Sequence, residues 1–257
     1  MSLWDVLILG IVEGITEFLP ISSTGHLVLT AKLLGCAQTE FLKSFEVFIR
    51  LGAIGAVVVL YAKSLIRDRE VLKRVAAAFL PTAVIGLVLY KFIKHFLLGN
   101  SQVVVWSLFL GGIFLIVFDS VHREDENSVK DIAGISYPKA ALIGLFQSLA
   151  VIPGVSRAAA TIIGGLILGV QRKTIVEFSF LLAVPTMLAA AALDLLKNNQ
   201  SFSSNEWGLL TVGFLVSFAV ATASIKFLLH YIKNHNFIAF GIYRVVVALA
   251  FWFLISR

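Results

Sequence analysis

The chain has one cysteine, Cys36, in 257 residues, so it can form neither an internal disulfide nor a cysteine-built metal site. Charge is also scarce. Lys, Arg, Asp and Glu make up 14% of the residues, where a soluble domain of this length carries about a quarter. No polar stretch is long enough to fold by itself. The first residues, Met-Ser-Leu-Trp-Asp, lack the basic start of a signal peptide, and nothing resembles a cleavage site, so the first apolar segment is expected to remain in the mature protein. What the chain has in excess is hydrophobic: 59% of its residues, with a mean hydropathy of +0.94. These residues come in runs near the length that crosses a bilayer, which defines a polytopic membrane protein with one continuous domain.

The formal charge of +6 does not point to nucleic acid. The basic residues sit mainly in short loops between apolar spans, as the positive-inside rule distributes them.

The apolar pattern is interrupted twice in the same way. Segments 3–19 and 23–35 are each shorter than the ~20 residues of a full span, and Pro20-Ile21-Ser22-Ser23 separates them. Segments 138–152 and 156–170 are likewise split by Pro153-Gly154-Val155-Ser156-Arg157. Each pair predicts a re-entrant helical hairpin, a break tolerated at membrane depth only when protein or water surrounds it. Full spans are expected near 41–61, 75–92 and 102–118, and again near 174–192, 207–230 and 238–256. The fold is therefore expected to be all-α: six full transmembrane helices plus two re-entrant hairpins in an inverted-topology repeat, with a polar site between the halves. Repeat 1 covers about 1–118 and repeat 2 about 138–257. The intervening Asp119–Lys139 stretch reads as a solvated cytoplasmic loop. If the 62–74 loop, with Lys63, Arg67, Arg69, Lys73 and Arg74, is also cytoplasmic, basic loop residues divide twelve against six in favour of that side. The minority includes Lys94 and Arg257. This orientation brings the first hairpin in from outside.

Polar groups inside such a chain are costly unless they have partners or a function, and they concentrate in Glu13 to His26. Glu13 and Glu17 share one helix face and repel when both are ionised. A shared proton, a hard cation with oxygen ligands such as Mg²⁺ or Ca²⁺, or an ion pair with Arg50, Arg157 or Arg244 would relieve this. Ser22, Ser23 and Thr24 start the second short helix, where one of them caps it and free N–H groups can hold an anion. Ser156 repeats that arrangement. Arg157 beside it suits bidentate binding of phosphate oxygens, and Thr161 follows on the same face. His26, three and four residues after Ser23 and Ser22, is a candidate acid or base, or else a packing residue. Glu46 with Arg50, Glu177 and Gln147 are weaker candidates. Gly164, Gly165 and Gly169 suit close helix packing.

Glu13-Gly-Ile-Thr-Glu17-Phe-Leu-Pro-Ile-Ser-Ser-Thr-Gly-His26, Pro153-Gly-Val-Ser-Arg157 and Glu177-Phe-Ser-Phe-Leu-Leu-Ala-Val-Pro185 together resemble the bacterial undecaprenyl-diphosphate phosphatases, the bacitracin-resistance family of membrane enzymes, over nearly the whole chain. The resemblance implies hydrolysis of undecaprenyl diphosphate to the monophosphate and inorganic phosphate, in recycling of the peptidoglycan lipid carrier. It also implies a divalent cation and a site open to the periplasmic face of the inner membrane. It places Glu13 and Glu17 on the family's paired acids, Ser22, Ser23 and His26 on its serine–histidine segment, and Arg157 on its arginine. Ala158 departs from the pattern, since similar proteins usually carry serine there.

On this reading Glu13 and Glu17 hold the metal, and Glu17, Ser23, His26 and Arg157 are catalytic. Ser22, Thr24, Ser156 and Thr161 bind the diphosphate, and the nucleophile is Ser23 or water. Membrane lipid and the lipid substrate are the expected partners; a homodimer is compatible with the sequence. The rival reading is a polyprenyl-phosphate transporter or flippase, whose midplane anion pocket would carry the same residues. A phosphatidic-acid-phosphatase-like enzyme fits less well, because no suitable histidine follows the Ser156-Arg157 segment.

Overall fold

A computed structural model describes residues 1–92, 100–197 and 202–255; Lys94 and Arg257 of the loop-charge argument lie outside them. The two interrupted segments form paired short helices. α1 (Leu3–Thr16) and α2 (Ser23–Leu33) make the first pair, α7 (Tyr137–Ser148) and α8 (Arg157–Ile167) the second. Between the pairs run α3 (Glu40–Leu60), α4 (Ala62–Arg67), α5 (Arg69–Phe92) and α6 (Ser101–Val121). After the second come α9 (Arg172–Lys197), α10 (Ser204–Tyr231) and α11 (Ile238–Ile255).

The helix ends follow from local chemistry. Ser2 with Asp5 and Ser203 with Glu206 form capping boxes at the starts of α1 and α10, each satisfying two orphan donors. The first break follows Pro20 and passes through Ser22 at φ 73°, the one non-glycine residue with positive φ among those described. In the second break Gly154 takes φ 91°, a conformation glycine adopts without steric cost.

Among the described residues four helices are long and apolar enough to cross a membrane: Arg69–Leu89, Ser101–Val121, Arg172–Asp194 and Ser204–Tyr231. Large apolar side chains such as Val88 (75% exposed) and Phe253 (70%) face outward. In water that surface would be an aggregation hazard, whereas lipid accepts it. The chain is an all-helical integral membrane protein. α3 has the length of a span but carries Glu40, Lys43, Glu46 and Arg50 in its first half. α11 is 18 residues long.

Of the two expected loops the first is largely helical, while the second is irregular and mostly exposed from 122 to 131, as expected, but not at its start. The 62–74 stretch is α4 plus the first turns of α5, with the Asp68 carboxylate accepting from Glu70 and Val71 N–H groups between them. Asp119, expected at the start of a solvated loop, instead lies buried in the last turn of α6. There it accepts from both terminal nitrogens of Arg172 (2.8 and 3.1 Å) and from the Phe237 N–H. These partners offset the desolvation cost that burying the carboxylate would otherwise carry. The rest of the stretch contains a 3₁₀ turn at Ile132–Gly134 and the start of α7.

The packing is crosswise. α1 lies on α10 and α7 lies on α5, so the first helix of each short pair docks mainly on the half of the chain that does not contain it, while α2 and α8 touch α6 and α9 of their own half. α3 packs against α10 and α9, α5 also against α9, and α6 against α11. Close approach depends on small residues. A Cβ at Gly14 would stand 2.7–2.9 Å from Val220, Ser217 and Ala221, and one at Gly144 only 1.9 Å from the Ala78 carbonyl oxygen. Gly164 and Gly165 make comparable room for Phe146 and Ile175. Gly169 does not: it takes φ 74° in the turn after α8 and has almost nothing near it.

Candidate active site

Crosswise docking brings the two breaks together, and one side chain spans them. Arg244 of α11 is 1% exposed. It donates to the Pro20 carbonyl of the first break (3.3 Å), to the Gly154 carbonyl of the second (3.2 Å), and to the Ser107 and Leu108 carbonyls of α6 (3.0 and 3.4 Å). Gly111 leaves the space for its guanidinium, since a Cβ there would lie 2.3 Å from Nη2.

Beside this junction is a cavity of about 140 Å³, lined by Glu17, Ser22, Ser23 and Thr24 from the first pair and by Val155, Ser156 and Arg157 from the second. α3 contributes Val47 and Arg50, and α9 contributes Met187 and Asp194. Both short-helix starts therefore reach it. Ser22 caps α2, accepting from Gly25 N–H at 3.5 Å, and Ser156 caps α8, accepting from Ala159 N–H at 3.1 Å. Uncapped N–H groups and the positive end of each helix favour an anion here.

The acids are arranged unequally. Glu17 is fully engaged: Ser23 Oγ donates to its Oε2 at 2.5 Å and Arg157 Nη2 to its Oε1 at 3.0 Å. Arg157 is held from the other side by the Ser179 carbonyl at 2.8 Å, and its guanidinium lies over the Phe18 ring. Glu13 is completely buried, and neither carboxylate oxygen has a hydrogen-bond partner among the described residues. Among the described residues its only ion pair is with Arg50 Nε, at 3.9 Å. The paired acids thus meet one arginine each, from α3 and α8. Glu46 is not the ion-pair partner of Arg50, despite the i, i+4 spacing.

Two expected site residues face elsewhere. The His26 ring donates from Nδ1 to the Ser22 carbonyl (2.8 Å), because a carbonyl can only accept, and its Nε2 takes the Tyr243 hydroxyl (2.9 Å). Both ring nitrogens are therefore committed, Nδ1 within the start of α2 and Nε2 in tying α2 to α11, and neither meets Ser23. Thr161 is fully buried and does not line the cavity. Its hydroxyl is shared between the Arg157 carbonyl (2.9 Å) and Gln147 Oε1 (3.2 Å), the usual back-bonding of a threonine inside a helix. Gln147 in turn donates to Thr82 and Thr186, so it fastens the second pair to α5 and α9. Glu177 does not reach the cavity. Sequence reasoning reaches Arg50 only as a weaker candidate beside Glu46 and Arg244 only as a counter-ion for the acids, and it misses Ser179 and Asp194, because each partner lies far away in sequence.

The expected cation can be tested against Glu13. A buried carboxylate with both oxygens unpartnered, one turn from a second carboxylate, suits a hard divalent ion. Among the described residues no three His, Cys, Asp or Glu side chains converge as a metal site. The protein would therefore supply two carboxylates and leave the remaining positions to water and phosphate oxygens, which is common for Mg²⁺.

Fold and site together define an integral membrane protein with an acid–hydroxyl–guanidinium centre assembled from two opposed helix breaks. The model of the family described as bacitracin resistance protein BacA matches residues 6–250, and the chain belongs to that family. It is 54% identical over 251 residues to a protein of Aquifex aeolicus named undecaprenyl-diphosphatase, covering 98% of both chains. It is 51% identical to one of the same name from Sulfurihydrogenibium (98% of this chain, 99% of the relative). A further one, from Thermus thermophilus, is 44% identical (100% and 99%).

Proposed function

We propose that the protein hydrolyses undecaprenyl diphosphate to undecaprenyl phosphate and inorganic phosphate, and that Ser23 with Glu17 performs the chemistry. The observation that carries this is the 2.5 Å hydrogen bond from Ser23 Oγ to Glu17, whose other oxygen is held by Arg157. It presents a hydroxyl already aligned with a base, in a cavity fit for an anion.

Ser23 Oγ attacks the terminal phosphorus and its proton passes to Glu17. The bond from that phosphorus to the bridging oxygen breaks, and undecaprenyl phosphate leaves with the proton Glu17 returns. Water, deprotonated by Glu17, then attacks the phosphoserine; inorganic phosphate departs and Ser23 regains its proton. Ser22, Thr24, Ser156 and the two helix starts hold phosphoryl oxygens, and Arg157 keeps Glu17 in line as charge develops. Glu13 and Glu17 would hold Mg²⁺ or Ca²⁺, which when bound supplies neutralising charge to the phosphoryl oxygens.

The crosswise docking supports an inverted-topology arrangement with six spans and two re-entrant pairs, α3 and α11 completing the six. The cavity lies at the middle of α3 and toward the end of α9, away from the basic α4–α5 corner, which supports an opening on the outer face. A polyprenyl tail can then stay in lipid while phosphate leaves to water.

Phosphate release by purified protein is the test. Ser23→Ala and Glu17→Gln should each lower kcat by about 10²–10⁴-fold; Ser23→Ala should leave the melting temperature nearly unchanged, whereas Glu17→Gln should also lower it because Arg157 loses its buried counter-ion, and acid quenching should trap phosphate on Ser23. Chelation should stop release, and Mg²⁺ or Ca²⁺ should restore it. Lipid translocation without phosphate release would favour the transporter instead.

A further inference from the structure

Two arginines line the cavity, and they differ in what they have left to give. Arg157 has both terminal nitrogens committed, to the Ser179 carbonyl and to Glu17, and its side chain is 11% exposed. Arg50 makes no hydrogen bond among the described residues. Its single ion pair, Nε to Glu13 at 3.9 Å, is about 1 Å longer than a charge-assisted hydrogen bond. Its side chain is 30% exposed and lines the cavity with Ser22, Ser23 and Ser156.

A guanidinium kept only to neutralise Glu13 would close on it, since Glu13 has two oxygens free to accept. Arg50 stays back instead, with its donors available to the cavity. Arginine's planar fork matches two oxygens of one phosphoryl group, and no other cavity-lining cation is as free. We infer that Arg50 is the guanidinium that contacts the phosphoryl oxygens of the diphosphate, while Arg157 acts mainly as a positioning residue for Glu17. The inference rests on the phosphatase reading above. It divides the two arginines between the halves: the first half supplies the one that binds, the second the one that aligns.

The experiment compares wild type with Arg50→Gln and Arg50→Lys in detergent, following three readouts: phosphate release from undecaprenyl diphosphate, the Kd for inorganic phosphate by calorimetry, and thermal unfolding. Arg50→Gln should lower kcat/KM by about tenfold to 100-fold, mainly through KM, and weaken phosphate binding to a similar degree, the range of a charged hydrogen bond. Arg50→Lys, which keeps the charge and loses the fork, should fall between. A counter-ion role alone would lower the melting temperature and leave the Kd of the folded protein unchanged. Arg50→Gln values of kcat/KM and Kd within twofold of wild type overturn the inference. If that variant does not fold, Arg50→Lys with wild-type Kd and KM does so equally. A wild type that binds phosphate but releases none from the lipid overturns the phosphatase reading instead, and the Kd comparison still judges Arg50.

Discussion

Replacing Arg244 separates what its charge costs from what its geometry does. The side chain is buried with no carboxylate near it, and it serves four carbonyls on three segments. Those of Ser107 and Leu108 belong to α6 and have helical partners. Those of Pro20 and Gly154 lie in the breaks, where among the described residues no other donor reaches them. Arg244→Met strands two acceptors, at about 1–3 kcal/mol each, but also removes a buried cation whose desolvation penalty is several kcal/mol. The two nearly offset. Arg244→Lys keeps most of the desolvation cost, and one ammonium cannot span both breaks and α6. It forfeits about two charged hydrogen bonds, roughly 3–6 kcal/mol on the soluble-protein scale and nearer 1–3 on the membrane scale. The conservative change should therefore melt lower than the radical one, by several degrees in detergent. Both should lose most phosphate release, because the Ser23 and Arg157 starts are no longer pinned together. Thermal unfolding with a phosphate assay checks this. Arg244→Lys as stable and as active as wild type would refute the reasoning.

Gly144→Ala should be severe for its size. Its Cβ would meet the Ala78 backbone, which cannot swing aside, so α5 and α7 must part. The cost should exceed the usual 1–3 kcal/mol of overpacking, seen as lost folded yield in size-exclusion chromatography. Ser22→Gly should relieve the φ 73° strain, worth about 1–3 kcal/mol, and raise the melting temperature. Phosphate release should fall because the cap hydroxyl is gone; an unchanged or lower melting temperature would show that the conformation is not strained. Arg172→Ala leaves Asp119 buried with only the Phe237 N–H and should destabilise by about 3–5 kcal/mol, while Asp119→Asn with Arg172→Ala recovers part of that.

The two breaks and their polar residues stood out in the sequence because their surroundings are so apolar. Glu13, Glu17, Ser23 and Arg157 needed no alignment to notice: an ionisable group in a membrane run is conspicuous. The partners were harder. Arg50 looked like the mate of Glu46 one turn earlier, yet it faces Glu13 on another helix. Tyr243 meets His26 across 217 positions, so nothing local hinted that both imidazole nitrogens would be occupied. Asp119 was misplaced because a charge next to His122-Arg123-Glu124 reads as solvated, and only the fold reveals Arg172 beside it. Periodicity finds elements, whereas a buried charge is explained by whichever element arrives opposite it.

Crosswise docking also sets an order of events during synthesis. α1, which carries Glu13 and ends at Glu17, is made early, yet its main packing partner is α10, whose Ser224 hydroxyl bonds the Ile15 carbonyl at 2.9 Å. Arg244, which joins the breaks, comes later still. The acidic hairpin must wait for α10, so the nascent chain holds it unfinished while some two hundred residues follow. The two breaks are thus joined only once α10 and α11 have been made, and a product cut short before α10 has the acids without their packing partners.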